Sequence, residues 1–225
     1  MTDDGSNRVA EGDMAGEPAR LSALDSYHIV DTRPEPQFDR IVAAAAGVCD
    51  TPSALISFVD QERQWFKAKH GLDVDETPRD ISFCAHAIRN DALMQVTDAR
   101  EDPRFADTPL VTGEPHIAFY AGAPLIAPGG HRLGTVCVID RKPRRLDDVQ
   151  TSVLEVLRDA VVRELELRRL KHDAADYMFK VCAWCARVQV DGEQGSWIAP
   201  AEFVRQAYPV SHGMCPSCMS QEEPH

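Results

Sequence analysis

The sequence predicts an α+β domain, within the broader α/β class, in which a central antiparallel sheet is flanked by helices. Two pairs of apolar segments support this prediction, because a short polar or Gly-rich turn joins the members of each pair, as in a β-hairpin. A helical pattern precedes the first pair, and a much longer one follows the second. Hairpin strands run antiparallel, so a sheet built from two hairpins is mainly antiparallel.

The first two helices are predicted from apolar spacing and from proline positions. A short helix is expected at 18–27. The segment Pro34-Glu35-Pro36 then leads into a second helix, because proline suits the first helical turn. The apolar face of this second helix is formed by Phe38, Ile41, Val42, Ala45 and Val48.

The strands and the segments between them follow in chain order. The first hairpin is expected at 54–59 and 63–70, and the second at 117–127 and 133–139 with Pro128-Gly129-Gly130 as its turn. Ser82 is a suitable N-cap for a short helix that ends near Asn90. Residues 98–116 hold three prolines and many turn formers, so they are expected to form an irregular covering segment with one short helix.

The last helix of the domain, expected at about 146–172, carries more apolar residues than one packed face requires. One seam consists of Leu154, Leu157, Val161 and Leu165, and another of Val153, Val156, Ala160 and Leu167. A helix packed on a single sheet needs one apolar arc. The second seam therefore predicts either a broad intramolecular core or a surface for a partner subunit.

Composition and charge restrict the function. The 225 residues are 44% hydrophobic and carry a net charge of −12, which argues against general binding to nucleic acid or to an anionic membrane surface. No apolar run is long enough to span a bilayer, and the first 20 residues lack the apolar core of a secretory signal. We therefore expect a cytoplasmic protein, with a disordered tail at 1–18 and a folded domain at 19–172.

Five segments of the predicted domain resemble a known family. SFVDQERQWFKAKHGL, SFCAHAI, VTDAREDPRFADTPLV, GEPHIAFYAGAPL and LGTVCVID occur in this order. Together they resemble the GAF domain of bacterial signalling proteins over roughly residues 22–170. The resemblance implies a pocket between the sheet and the irregular segment, terminal helices that often dimerise, and a role in sensing small molecules or in binding proteins.

The candidate pocket residues are polar or aromatic side chains near the expected cavity: Cys84, His86, Phe105, His116, Phe119 and Tyr120. Aromatic surface with a few polar groups is typical of small-molecule pockets, although the same residues also fill ordinary cores. Ala85 separates Cys84 from His86, whereas bilin-binding relatives carry an adjacent Cys-His pair. Other relatives reduce free methionine sulfoxide with pocket cysteines, a role open here to Cys84 and Cys137.

A cysteine-rich segment at 178–220 follows the predicted domain. Its two C-x2-C pairs are Cys182 with Cys185 and Cys215 with Cys218. Four thiolates in two such turns favour a structural zinc site, which would stabilise a unit too small to fold on apolar burial alone. A redox dithiol, a reduced cluster without metal and an iron–sulfur centre are the alternatives. His212 is an alternative ligand in place of one cysteine, although we rather expect it beside the metal or at the surface, because four thiolates already close the site.

Taken together, the sequence favours a sensory GAF protein with a zinc-stabilised extension. We expect a homodimer that signals through its long helix to another protein, since no kinase, receiver or DNA-binding motif is visible. No catalytic constellation is recognised, so an enzyme is not expected. The alternatives are a thiol-dependent reductase of the methionine sulfoxide type and an interaction module without a ligand.

Overall fold

The computed structural model of the chain describes residues 16–176, 188–189, 197–199 and 202. The chain divides into two compact units between Lys171 and His172, and each is described by itself. None of the helices in the described residues is long and apolar enough to cross a membrane. The predicted tail at 1–18 lies almost entirely outside the described residues.

The first unit is a six-stranded antiparallel sheet with helices, as the sequence predicts. Its helices are α1 (Glu17–Asp25), α2 (Pro36–Cys49), α3 (Phe83–Ala87), α4 (Pro109–Thr112) and α5 (Asp148–Asp176). Its strands are β1 (Ser53–Val59), β2 (Arg63–His70), β3 (Glu76–Pro78), β4 (Met94–Val96), β5 (Phe119–Ile126) and β6 (Arg132–Asp140). The strand order is β3-β2-β1-β6-β5-β4, which confirms both predicted hairpins. The two hairpins form one sheet because β1 of the first pairs with β6 of the second.

One face of the sheet is covered by α1, α2 and α5. Alternate strand residues point to this face, where Phe58 and Val138 meet Phe38 of α2 and Leu154 of α5 in the main core. Burial of these apolar side chains is the principal force that holds the helices on the sheet.

The other face is covered by α3, α4 and the irregular segment that the sequence predicts. Cys137 of β6 and Tyr120 of β5 pack there against Phe83 and Phe105 in a second apolar core. The Ser82 hydroxyl accepts a hydrogen bond from the backbone N–H of Ala85 at 3.1 Å, which confirms its role as the N-cap of α3.

The long helix α5 begins two residues later than predicted. Asp147 and Gln150 exchange side-chain and backbone hydrogen bonds of 2.8 and 3.1 Å, and this reciprocal cap fixes the first turn at Asp148. Leu146 lies before the helix, where its backbone N–H donates to Gln95. Leu154, Val161 and Leu165 form the buried seam of α5.

In the second unit, β7 (Val188–Gln189) pairs antiparallel with β8 (Trp197–Ile198). Both strands lie between the two cysteine pairs along the chain. The candidate metal ligands Cys182, Cys185, Cys215 and Cys218 all lie outside the described residues, as does His212. No group of residues that could hold a metal ion occurs among the residues that are described.

Candidate functional site

A small cavity lies between the sheet and its irregular cover. Its volume is about 180 Å³. Most of the lining is apolar and includes Leu55, Phe66 and Ile117, and Cys84 and Cys137 also line the cavity. Its polar and charged lining residues are Gln64, Asp73, Thr77 and Glu114. A mostly apolar void with a few convergent polar groups is the usual form of a small-molecule site.

The two cavity sulfurs form a buried cluster with neighbouring hydroxyl groups. The Sγ atoms of Cys84 and Cys137 are 3.8 Å apart, although one residue belongs to α3 and the other to β6. Thr135 donates its hydroxyl to Cys84 Sγ at 3.1 Å, and Tyr120 donates to the same sulfur at 3.4 Å. Ser57 pairs with Thr135 across β1 and β6, and its buried hydroxyl makes no hydrogen bond of ordinary geometry with a described residue.

These contacts change the acidity of both thiols. Burial raises the pKa of Cys84, but Cys137 and the hydroxyl groups of Ser57, Thr135 and Tyr120 around its sulfur outweigh burial and lower the pKa to about 6. The hydrogen bond with Cys84, together with burial, raises the pKa of Cys137 well above its usual value. Of the two thiols, Cys84 is therefore the one that loses its proton more readily.

An aromatic wall supports the cluster from the covering side. The ring of Phe83 stacks on Phe105 at a centroid distance of 4.1 Å and on Tyr120 at 5.2 Å. Gly122 leaves the space that Tyr120 needs, because a Cβ atom at this position would lie 2.1 Å from the tyrosine hydroxyl oxygen. The absence of a side chain at Gly122 therefore allows the Tyr120 ring to reach Cys84.

The structure brings some of the predicted pocket residues together and separates others. Cys84 and Tyr120 line the cavity, and Phe105 lies behind Phe83 in the same core. Phe119 precedes Tyr120 on β5, so its side chain points to the opposite face and packs with the helices.

The two predicted histidines lie away from the cavity lining. His86 is half-buried on α3 and contacts the ring of Phe105 edge-on at 4.8 Å. Burial and the nearby Arg89 and Arg104 lower the pKa of His86, which favours its neutral form. His116 is more than half exposed beside Glu114.

Sequence reasoning missed Thr135, Ser57 and Gly122. Their positions carry a signal, because each is a small or polar residue inside an otherwise apolar strand. Strand pairing places them side by side, since Ser57 lies opposite Thr135 and Gly122 lies opposite Cys137.

A larger open groove of about 850 Å³ lies near the end of α2 and the loop after β6. Its charged side chains are partly satisfied by one another: Arg144 pairs with Asp140 and, at 3.3 Å, with Asp50. The groove has no counterpart to the buried sulfur and hydroxyl cluster. We therefore take the smaller cavity as the candidate site, because perturbed and buried polar groups converge there.

Comparison with known proteins relates this geometry to a family. Over 128 residues the chain is 49% identical to a cyclic di-GMP phosphodiesterase of Pseudomonas aeruginosa, and the matched part covers 57% of this chain and 22% of that protein. This chain thus spans about a fifth of the length of that relative.

Solved structures share the fold at low sequence identity. The GAF domain of a phosphoenolpyruvate-protein phosphotransferase from Coxiella burnetii has a TM-score of 0.52 at 14% identity, covering 71% of this chain and 98% of that one. The free methionine-R-sulfoxide reductase of Neisseria meningitidis has a TM-score of 0.51 at 14% identity, covering 68% and 88%. The family model of the GAF domain matches residues 33–165. The chain therefore belongs to the GAF domain family.

Proposed function

We propose that this chain is a cytoplasmic sensory or regulatory GAF protein that binds a small molecule in the cavity beside Cys84 and Cys137. The cavity is the observation that carries this proposal, because buried hydrogen-bonding groups converge there on a mostly apolar void. The match to the GAF family, a family of signalling proteins, supports a sensory role.

The size of the cavity restricts the ligand. A volume of about 180 Å³ is below the roughly 300–1,000 Å³ that is usual for drug-sized ligands. The proposed ligand is therefore a compact, mostly apolar molecule with one or two polar groups that contact the sulfur and hydroxyl cluster.

The Pseudomonas relative suggests the kind of pathway. That protein is named a cyclic di-GMP phosphodiesterase, and the region it shares with this chain is about a fifth of its length. We propose that the shared region performs regulatory binding in both proteins. In this account the chain described here binds its ligand without turnover and acts through a signalling partner.

The proposed route to the partner is α5. Val149, Val156, Leu167 and Leu170 form an outer stripe on this helix and are each about half or more exposed. Val149, Val156 and Leu170 are separated by whole heptads, and Leu167 lies three residues before Leu170, as on the seam of a two-stranded coiled coil. We propose that a second copy of the chain covers the outer stripe in a parallel homodimer.

Sedimentation velocity tests this dimer. Val156→Glu places a charge in the centre of the stripe in both copies, so we expect the dimer dissociation constant to rise by at least roughly a hundredfold. Val48→Glu is the matched control, because Val48 is a similarly exposed valine on α2. A wild-type monomer, or equal effects of the two variants, would contradict the proposed interface.

We also propose a structural zinc ion in the C-terminal extension, held by Cys182, Cys185, Cys215 and Cys218. The two C-x2-C pairs support it, because each turn presents two thiolates to one ion. Metal analysis of the purified chain should give one zinc per chain. The content should fall in Cys215→Ser and stay unchanged in Cys49→Ser, since Cys49 is a buried thiol of α2.

A thiol-dependent reductase is the second candidate, because the sulfurs of Cys84 and Cys137 lie 3.8 Å apart at the cavity. Repeated turnover of free methionine sulfoxide with a dithiol reductant, lost in Cys84→Ser, would favour it. A cavity that binds nothing would leave the third candidate, an interaction module without a ligand.

A further inference from the structure

The pair formed by Cys84 and Cys137 has the geometry of a dithiol that can close. The two sulfurs are 3.8 Å apart, and a disulfide bond requires about 2.05 Å. Closure thus needs a shift of about 1.7 Å. Only α3, a five-residue helix beside an irregular segment, has to move, because Cys137 belongs to a central strand of the sheet.

The surroundings assign different roles to the two sulfurs. Thr135 and Tyr120 both donate hydrogen bonds to Cys84 Sγ, which stabilises negative charge on that sulfur. Cys137 contacts the same sulfur from the sheet. Cys84 thus has hydrogen bonds that favour its thiolate and a second cysteine next to it. Cysteines that react with oxidants and then form a disulfide have these two features.

The cavity decides which oxidants can arrive. Both cysteines line it, although each is at most 2% exposed. A volume of about 180 Å³ admits a small molecule and excludes one the size of glutathione or of another protein thiol. A compact two-electron oxidant is thus the co-reactant that the geometry favours.

We propose that Cys84 and Cys137 form a peroxide-responsive pair, in which a small hydroperoxide oxidises Cys84 and Cys137 resolves the product as a disulfide. The Cys84 thiolate attacks one oxygen of the hydroperoxide. The O–O bond breaks, an S–O bond forms with the terminal OH group, and the alkoxide, or hydroxide from hydrogen peroxide, leaves and takes up from solvent the proton that Cys84 released on ionising. Cys84 is then a sulfenic acid.

The second step closes the pair. The Cys137 sulfur attacks Cys84 Sγ, an S–S bond forms, the S–O bond breaks, and the departing hydroxide takes the Cys137 proton as water. In total, two thiols and one hydroperoxide give one disulfide, one alcohol or water, and one further water. The two sulfurs supply the two electrons that the peroxide accepts.

Oxidation would be transmitted to the cover of the cavity. Cys84 belongs to α3, which begins at Phe83, and the ring of Phe83 stacks on Phe105. Drawing α3 towards β6 would reduce the cavity and shift this aromatic contact. The oxidation state could thus change what the proposed sensor binds, but the reaction itself depends neither on a ligand nor on the dimer.

Peptide mapping of the full-length chain tests the proposal. The reduced protein is exposed to hydrogen peroxide at pH 7, alkylated, digested without reduction and examined by mass spectrometry. We expect a linked peptide that joins Cys84 to Cys137. In Cys137→Ser we expect a sulfenic acid at Cys84 that dimedone captures, and in Cys84→Ser we expect Cys137 to stay reduced.

Cys49 is the internal control, because burial and the nearby Asp147 raise its pKa to about 11. At pH 7 the thiolate fractions favour Cys84 by about 10⁴, and the lower nucleophilicity of a more acidic thiol reduces this to roughly 50-fold in rate. The wild-type protein alone is enough to overturn the proposal. Either oxidation of Cys84 no faster than that of Cys49, or disulfides confined to the C-terminal cysteines, would do so.

Discussion

Lys67→Met tests how the segment before α2 is held on the sheet. The side chain of Lys67 is fully buried, and its ammonium donates to Thr32 Oγ1 at 2.7 Å, to the Arg33 carbonyl at 2.6 Å and to Glu35 at 2.7 Å. Glu35 also accepts a hydrogen bond from Arg168 of α5 at 2.6 Å. This network joins β2, the segment before α2, and α5.

The magnitude follows from which groups lose their partner. Methionine keeps the length of the stem but leaves the Arg33 carbonyl unpaired, whereas Glu35 keeps Arg168. One unpaired, partly buried carbonyl and a weakened carboxylate together cost about 2–3 kcal/mol. In a chain of this size, this loss corresponds to a fall in Tm of about 5–10 °C.

Thermal and urea denaturation of the full chain measure the effect. Lys69→Met is the matched control on the same strand, because the pair that Lys69 forms with Asp75 is largely exposed, and its loss should cost less than about 1 kcal/mol. In the double variant Lys67→Met/Glu35→Gln the two losses should not add, because both changes remove the same Lys67–Glu35 pair. Equal losses in Lys67→Met and Lys69→Met would refute this reasoning.

Three further changes test other parts of the structure. Gly134→Ala should destabilise the sheet by about 3 kcal/mol or more, measured by urea denaturation, because its Cβ would lie 1.9 Å from the Ser57 carbonyl oxygen. Partial burial raises the pKa of Glu17, but hydrogen bonds from two arginines outweigh burial and lower the pKa to about 2. This carboxylate therefore contributes stability above pH 4.5 that is lost as the pH falls to 2. In acid denaturation, the free energy of unfolding of Glu17→Gln should fall less over that range than that of the wild type. Thr135→Val removes one hydrogen bond to Cys84, so the alkylation rate of that thiol should rise with pH through a higher midpoint than in the wild type, and an unchanged midpoint would show that Thr135 has no influence.

The parts of the fold that the sequence predicts correctly have local causes. The first hairpin follows from a polar break between two apolar segments, and α3 follows from the capping hydroxyl of Ser82. The sequence does not predict the strand β4, because three residues are too few to show an alternating apolar pattern. Pairing with β5 places these residues in the sheet. The start of α5 depends on the Asp147 cap, which the apolar spacing does not report.

The site is less predictable because its strands are buried on both faces. Every residue of β1 is buried, and nearly every residue of β5 and β6 is too, so alternation does not show which side chains face the cavity. Phe119 and Tyr120 appear equivalent in the sequence, yet only Tyr120 reaches the cavity. The proximity of Cys84 to Cys137 arises from packing between residues 53 positions apart.

Native mass spectrometry of the full chain, purified from its own host, tests the central claim that the cavity binds a small molecule in a dimeric sensor. We expect a dimer with a bound compact organic molecule, which is lost in Leu72→Trp because the larger ring fills the cavity that Leu72 lines. A wild-type chain that is monomeric and carries no such molecule, or a molecule retained unchanged in Leu72→Trp, would contradict the claim.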